Sequence, residues 1–182
     1  RNLHRCAQQI AAVHGGKFPK TEAQLAELPG IGRSTAAAIA AFAFGRRAAI
    51  LDGNVKRVLC RQFGVEGFPG AKAVHDRLWD LAESLLPEGD IEVYTQGLMD
   101  LGATLCTRSR PRCADCPVTD NCVARRDGRQ GDLPEAKPRA AIPERRSTFV
   151  LLSDGYRLLL ERRPPSGLWG GLLVPPEGDP AD

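Results

Sequence analysis

From Arg1 to about Leu105 apolar residues recur every three or four positions, the spacing that gives a helix one buried face. Six segments carry it: NLHRCAQQIAAVH (2–14), TEAQLAEL (21–28), RSTAAAIAAFAF (33–44), GNVKRVLCRQF (53–63), AKAVHDRLWDLAESLL (71–86) and DIEVYTQGLMDLGATL (90–105). Gly and Pro punctuate them, in GGKFP, PGIG and GFPG and at Pro87, where helix-stop chemistry is expected. The pattern predicts an all-α domain of short helices over residues 1–124. It then fades into ARRDGRQGDLPEAKPRAAIPERR, charged and proline-bearing, which reads as an interdomain linker at 125–145. Beyond it, STFVLLSDGYRLLLERR sets two β-rich runs around Asp154-Gly155, a dipeptide suited to a tight hairpin turn. A second, β-containing domain is expected over 146–182, so the fold class is mainly α followed by the start of an α+β domain.

Composition adds limits. The 182 residues are 42% hydrophobic, enough for one well-buried domain and a smaller piece. No apolar run approaches the roughly 20 residues needed to cross a bilayer, and no signal peptide opens the chain. The expectation is a soluble, cytoplasmic protein with no membrane partner. A start at Arg1 rather than Met and a stop at PEGDPAD lead us to expect a fragment. The net charge of +3 is mild, so its placement matters more than its total. Between Gly30 and Gln62 the basic residues are Arg33, Arg46, Arg47, Lys56, Arg57 and Arg61, and Asp52 is the only acid.

Asp52 precedes a periodic helical run and suits a helix N-cap, whose side-chain oxygen accepts first-turn N–H groups. The hairpin LPGIGRSTAAAI (28–39) sets Gly30 and Gly32 around Ile31. Glycines there keep the turn free of Cβ atoms, so N–H groups at the start of the next helix can reach an anion such as a DNA phosphate. Packing as a plain helical hairpin is the competing reading.

Four cysteines, Cys106, Cys113, Cys116 and Cys122, stand in CTRSRPRCADCPVTDNC with gaps of six, two and five residues. Disulfides are disfavoured in a chain with no sign of export. An iron–sulfur cluster and structural zinc both remain open from the spacing, the single short C-x-x-C pair favouring the cluster. The loop between the first two cysteines carries Arg108, Arg110 and Arg112 and no acid, either to offset the thiolates or to face phosphates. Cys6 and Cys60 read as small core residues, and His4, His14 and His75 have no ligand spacing. Leu78 and Trp79 read as core, and Trp169 as a packing anchor of the second domain.

Together the hairpin LPGIGRSTAAAI, the ILDGNVKRVL that sets Asp52 eighteen residues after Ser34, and the C-x6-C-x2-C-x5-C run resemble the helix-hairpin-helix DNA glycosylases that carry an iron–sulfur cluster. Within that superfamily the chain is similar to the adenine DNA glycosylase group. RNLHRCAQQIAAVHGGKFP, MDLGATLCTRS and RRPPSGLWGGLLVPP extend the resemblance along nearly the whole chain. It implies a [4Fe–4S] cluster on Cys106, Cys113, Cys116 and Cys122, at loop 106–122, and a Nudix-like second domain that recognises the oxidised guanine. It implies base excision repair by hydrolysis of the glycosidic bond of adenine opposite 8-oxoguanine or guanine. The expected partner is double-stranded DNA holding that mismatch, bound by a monomer.

By the same resemblance Asp52 stabilises the oxocarbenium-like sugar, with Asn54 as a polar support beside it. Gly30, Ile31, Gly32, Arg33, Ser34, Lys56, Arg108 and Arg110 are the expected DNA contacts. Ser34 stands where lyase relatives place a nucleophilic Lys, so simple hydrolysis is expected. The family's general-acid Glu lies upstream of Arg1, and nothing here replaces it: Glu22 and Glu27 read as solvated or capping residues. The alternatives are a non-catalytic DNA-binding module and a bifunctional glycosylase and lyase.

Overall fold

A computed structural model describes residues 1–139, 141 and 144–178. The chain divides into two compact units, Arg1–Pro138 and one beginning at Arg139. The first holds α1 (Asn2–Val13), α2 (Glu22–Ala26), α3 (Arg33–Phe44), α4 (Gly53–Phe63), α5 (Lys72–Ser84), α6 (Ile91–Asp100) and α7 (Val123–Arg126). The periodicity thus predicts α1 to α6, with ends shifted by a few residues, whereas α7 lies beyond the six predicted segments and runs into the expected linker. Thr21 starts α2 by accepting the Gln24 N–H on its hydroxyl.

The hydrophobic core gathers Leu25 and Leu28 from the hairpin, Ala36, Ala37 and Ala40 from α3, Val55, Leu59 and Cys60 from α4, and Leu78 and Ala82 from α5. Alanines on one face of α3 let the neighbouring helices approach closely, and the hairpin and α4 become parts of one packed body. Cys6 and Cys60 are buried, as expected. Burial pushes the Cys60 thiol up to about 11, against the opposing pull of Lys56, so it stays protonated.

The predicted sixth helix ends early. At Asp100 it widens into a π-helical turn, Leu101–Leu105, closed by the Cys106 N–H on the Leu101 carbonyl at 2.7 Å. Gly102 explains the departure: a Cβ there would meet Asn54 Cβ at 2.7 Å and the Asn54 carbonyl oxygen at 3.1 Å. The turn therefore presses bare backbone onto the start of α4. Two short 3-10 turns follow, Cys113–Asp115 and Thr119–Asn121.

The expected linker is displaced. Up to Pro138 the chain belongs to the helical unit. Leu133 is buried, its carbonyl accepting Arg61 Nε at 2.8 Å, and Glu135 accepts the Gly67 N–H at 2.8 Å. Arg129 pairs with Glu66 at 2.8 Å. The sequence hides this because a single apolar residue, Leu133, and a few polar clasps carry the docking. Residues 140, 142 and 143 of the expected linker, and 179–182 of the expected second domain, lie outside the described residues.

In the second unit β1 (Thr148–Phe149) pairs antiparallel with β4 (Glu177–Gly178), and β2 (Glu161–Arg162) with β3 (Leu173–Val174). The turn at Asp154-Gly155 forms where expected. Asp154 Oδ1 accepts the N–H groups of Tyr156 and Arg157, and a bridge joins Ser153 to Leu158. Trp169 is half-exposed and leans on Phe149, the ring centroids 6.0 Å apart.

Candidate functional site

Asp52 caps α4. Its Oδ1 accepts the Val55 N–H at 2.7 Å, and its backbone is extended at φ −81° and ψ −177°. A carboxylate in this position sits at the positive end of the helix dipole and is held by a backbone donor, which fixes its place at the start of α4. One residue earlier, the Leu51 N–H donates to Ser34 Oγ at 2.9 Å. The hairpin helix is thereby stitched to the extended segment that presents Asp52.

Asn54 is already engaged. Its Oδ1 accepts Arg57 Nη2 at 2.8 Å, while Arg57 also donates to the carbonyls of Gly102 and Cys106, at 2.6 and 2.7 Å. Rather than standing as a separate support beside Asp52, Asn54 joins the start of α4 to the turn that leads into the cysteines. Lys56 lines a cleft of about 600 Å³ with Gly53, Phe68, Arg108 and Lys137. Two predicted phosphate contacts, Lys56 and Arg108, therefore share one wall.

At the hairpin, Gly30 has φ +84°, and a Cβ there would meet Asn2 Cβ at 2.7 Å, so both backbone shape and space require glycine. Ile31 packs partly against the core. Gly32 begins α3 with no side-chain cap, leaving the first-turn N–H groups of this 12-residue helix for an anion. Arg33 departs from expectation. Its guanidinium carbon lies 3.8 Å from the Trp79 ring centroid, its Nε is 3.5 Å from Glu22, and Nη2 meets Glu83. An aromatic face and two carboxylates hold this cation, so it is not free for a phosphate. Glu22, read as solvated, is one of those partners.

The four site cysteines are free thiols and line a single cavity, with Pro111, Arg61 and Gln130 also in its wall. Cys113 and Cys116 close the first 3-10 turn, the Cys116 N–H donating to the Cys113 carbonyl, and Cys122 closes the second. Among the described residues no three His, Cys, Asp or Glu side chains gather tightly enough to hold a single metal ion. Burial pushes the Cys116 thiol up; the Val118 N–H opposes this, and the neighbouring Cys106, Cys122 and Cys113 add to it. This donor set suits a polynuclear centre whose ligands stand apart better than one tetrahedral ion.

Arg61 was not singled out by the sequence reading. It is 3% exposed, yet it is an arginine. Its guanidinium donates to the carbonyls of Leu133, Thr107 and Arg108 at 2.8, 2.7 and 3.0 Å and reaches Cys106 Sγ at 3.4 Å. The available signal was its place four residues after Arg57, on the helix face that meets the cysteine loop.

The glycine hairpin that meets the capped carboxylate fits a known pattern: the model of the helix-hairpin-helix motif matches residues 14–42. The solved structure of a thermostable thymine-DNA glycosylase superposes with a TM-score of 0.62 at 35% identity, covering 69% of this chain and 58% of that one. Over most of its length the chain is a homologue of the adenine DNA glycosylases. It is 32% identical over 177 residues to the adenine DNA glycosylase of Buchnera aphidicola subsp. Acyrthosiphon pisum, covering 97% of this chain and 51% of that protein. With the Homo sapiens adenine DNA glycosylase it shares 42% identity over 134 residues, 73% of this chain and 24% of that one. The chain thus spans about half the length of the bacterial relative, and less of the human one.

Proposed function

We propose that the full-length protein is a monofunctional adenine DNA glycosylase of base excision repair, hydrolysing the N-glycosidic bond of adenine opposite 8-oxoguanine or guanine in duplex DNA. The observation that carries this is Asp52 at the N-cap of α4, stitched to the hairpin through Ser34 and Leu51. Departure of the base leaves positive charge on the sugar, and a fixed, ionised carboxylate stabilises that charge as it develops. The cap bond holds the Asp52 carboxylate in place. Ser34 bears a hydroxyl, which cannot form an imine with the sugar, so water completes the hydrolysis. Protonation of the leaving base falls to the general-acid Glu that the family carries upstream of the residues present here.

Duplex DNA docks on the first-turn N–H groups of α3 around Gly30, Ile31, Gly32 and Ser34, and on Lys56, Arg108 and Arg110. Arg33 acts behind that surface, bracing the hairpin on Trp79. Cys106, Cys113, Cys116 and Cys122 would hold a [4Fe–4S] cluster. Such a cluster would supply a structural tie between the ends of the loop on which Arg108 and Arg110 stand. The second unit is read as the opening of a Nudix-like domain that recognises the oxidised guanine. We assign the protein to the bacterial cytoplasm, acting as a monomer on the nucleoid; among the described residues no helix is long and apolar enough to cross a membrane.

The test is base release by the full-length protein from duplexes with adenine opposite 8-oxoguanine, guanine or thymine, read as alkali-sensitive sites. Release from the first two and not the third is expected. No release from any, with duplex binding intact, would favour a non-catalytic module; strand cleavage without alkali would favour a lyase.

A further inference from the structure

After the last cysteine the chain turns back over the cysteine cavity. The Arg129 N–H donates to the Ala124 carbonyl, and Asp132 and Leu133 both donate to the Arg129 carbonyl. Two anchors fix this coil from outside: Arg129 on Glu66, and buried Leu133, whose carbonyl accepts Arg61 Nε. Between the anchors stands Gln130, half-buried in the cavity wall, with Nε2 3.9 Å from Cys113 Sγ. On the other side Arg61 Nη1 lies 3.4 Å from Cys106 Sγ. Two side-chain donors, one from α4 and one from the stretch that resembles a linker, thus face two of the four sulfurs.

We infer that Gln130, together with Arg61, is a positioning residue of the cysteine centre: the coil 129–133 folds over the cluster and directs an N–H···S bond at Cys113 that sets the cluster's retention and reduction potential. The inference rests on the proposed cluster. A ligating thiolate is only an acceptor, so each donor aimed at it stabilises the more negative state of the centre, and such bonds are a known lever on cluster potential. Outer-shell donors also hold first-shell ligands in orientation, and their loss typically costs 10- to 100-fold in metal affinity. Gln130 suits this role by chemistry as well as place. Its amide brings two donors without a charge, whereas a glutamate of the same shape would set a carboxylate against the thiolate.

The experiment uses the chain as it stands, purified without oxygen as wild type, Gln130→Leu, Gln130→Glu and Arg61→Lys. Iron and sulfide content, circular dichroism, the rate at which an iron chelator bleaches the visible absorbance, and the midpoint potential by mediated spectroelectrochemistry are measured. Wild type is expected to hold iron and sulfide in equal amounts. Gln130→Glu should keep the helical spectrum but bleach about tenfold faster. Gln130→Leu should fall between it and wild type, and both midpoints should move to more negative values. Arg61→Lys, which keeps the charge but cannot span the three carbonyls and Cys106, should bleach faster than wild type as well. A role in packing alone would leave the potential in place and make Gln130→Leu and Gln130→Glu alike, which would overturn the inference. Zinc without iron in wild type would instead overturn the cluster reading beneath it.

Discussion

Ser34 Oγ accepts the Leu51 N–H at 2.9 Å, so the residue before Asp52 is held by the helix that follows the glycine hairpin. Two stretches separated along the chain are thereby joined, so a shift of the hairpin helix is passed on to the segment that carries the carboxylate.

Ser34→Lys tests what stands at that junction. The new amine would occupy the place where lyase relatives carry theirs, and it can attack the sugar carbon to form an imine. A covalent protein–DNA adduct trapped by borohydride is expected with Ser34→Lys in the full-length protein, well above the wild-type background. Loss of the bond to Leu51 should lower base release in the same variant. No increase in trapped adduct would show that position 34 does not face the sugar.

Arg33 and the loop arginines should separate cleanly. Arg33 stacks on Trp79 between Glu22 and Glu83, whereas Arg108 and Arg110 are exposed in the cysteine loop. Arg33→Ala should cost about 1 kcal/mol of stability from the lost stacking and partly exposed ion pairs, with little change in how duplex affinity depends on salt. Arg108→Ala and Arg110→Ala should each lower the slope of log affinity against log salt by about 0.9, leaving the melting temperature nearly unchanged. The opposite pattern would return Arg33 to the phosphate surface.

The contrast shows what was legible in the sequence. Helical periodicity placed α1 to α6 along the chain and put Cys6, Cys60, Leu78 and Trp79 in the core, because a buried stripe must repeat with the helix. The spacing of the cysteines marked a metal-type centre and Asp52 before a helical run marked a helix cap, because local chain geometry dictates both, whereas the catalytic reading of Asp52 came from the family resemblance. Arg33, Arg61 and Gln130 were illegible for one shared physical reason. Each is defined by a partner remote in sequence: Trp79, Leu133 and Cys113. An arginine stacked on an indole and one free for phosphate read alike until the fold supplies the neighbour. The π-helical turn at Leu101–Leu105 was hidden in the same way, since only the approach of Gly102 to Asn54 calls for it.

Acid should weaken the second unit. Glu177 is held below its ordinary carboxylate range, first by the hydrogen bond from Arg163 and then by one from Ser147, with burial opposing. A lowered native pKa means that the unfolded state binds the proton more readily. The stabilisation is thus complete at neutral pH and is lost as pH falls through the ordinary glutamate range toward the lowered native value. Amide exchange of Val150 and Arg163, whose N–H groups bond to the Pro176 and Leu172 carbonyls, should become faster relative to the intrinsic rate at each pH over that window in wild type. In Glu177→Gln it should already be faster at neutral pH and show less dependence on acid. A pH profile unchanged by the substitution would show that the Arg163 pair does not support the sheet.

Asp52 carries the decisive test of chemistry, which belongs in the full-length protein where the general acid is present. Asp52→Asn preserves a good N-cap and nearly the same shape, so the Val55 N–H keeps an acceptor and α4 keeps its start. The substitution removes only the negative charge that the proposed function assigns to stabilising the sugar. Loss of one well-placed electrostatic group typically costs about 10²–10³ in rate. Single-turnover adenine release should fall by that order, while duplex affinity and melting temperature change little. A parallel fall in affinity or stability would trace the defect to the stitched hairpin instead of the charge. Normal release by Asp52→Asn would leave the residue as a helix cap alone and remove the catalytic assignment.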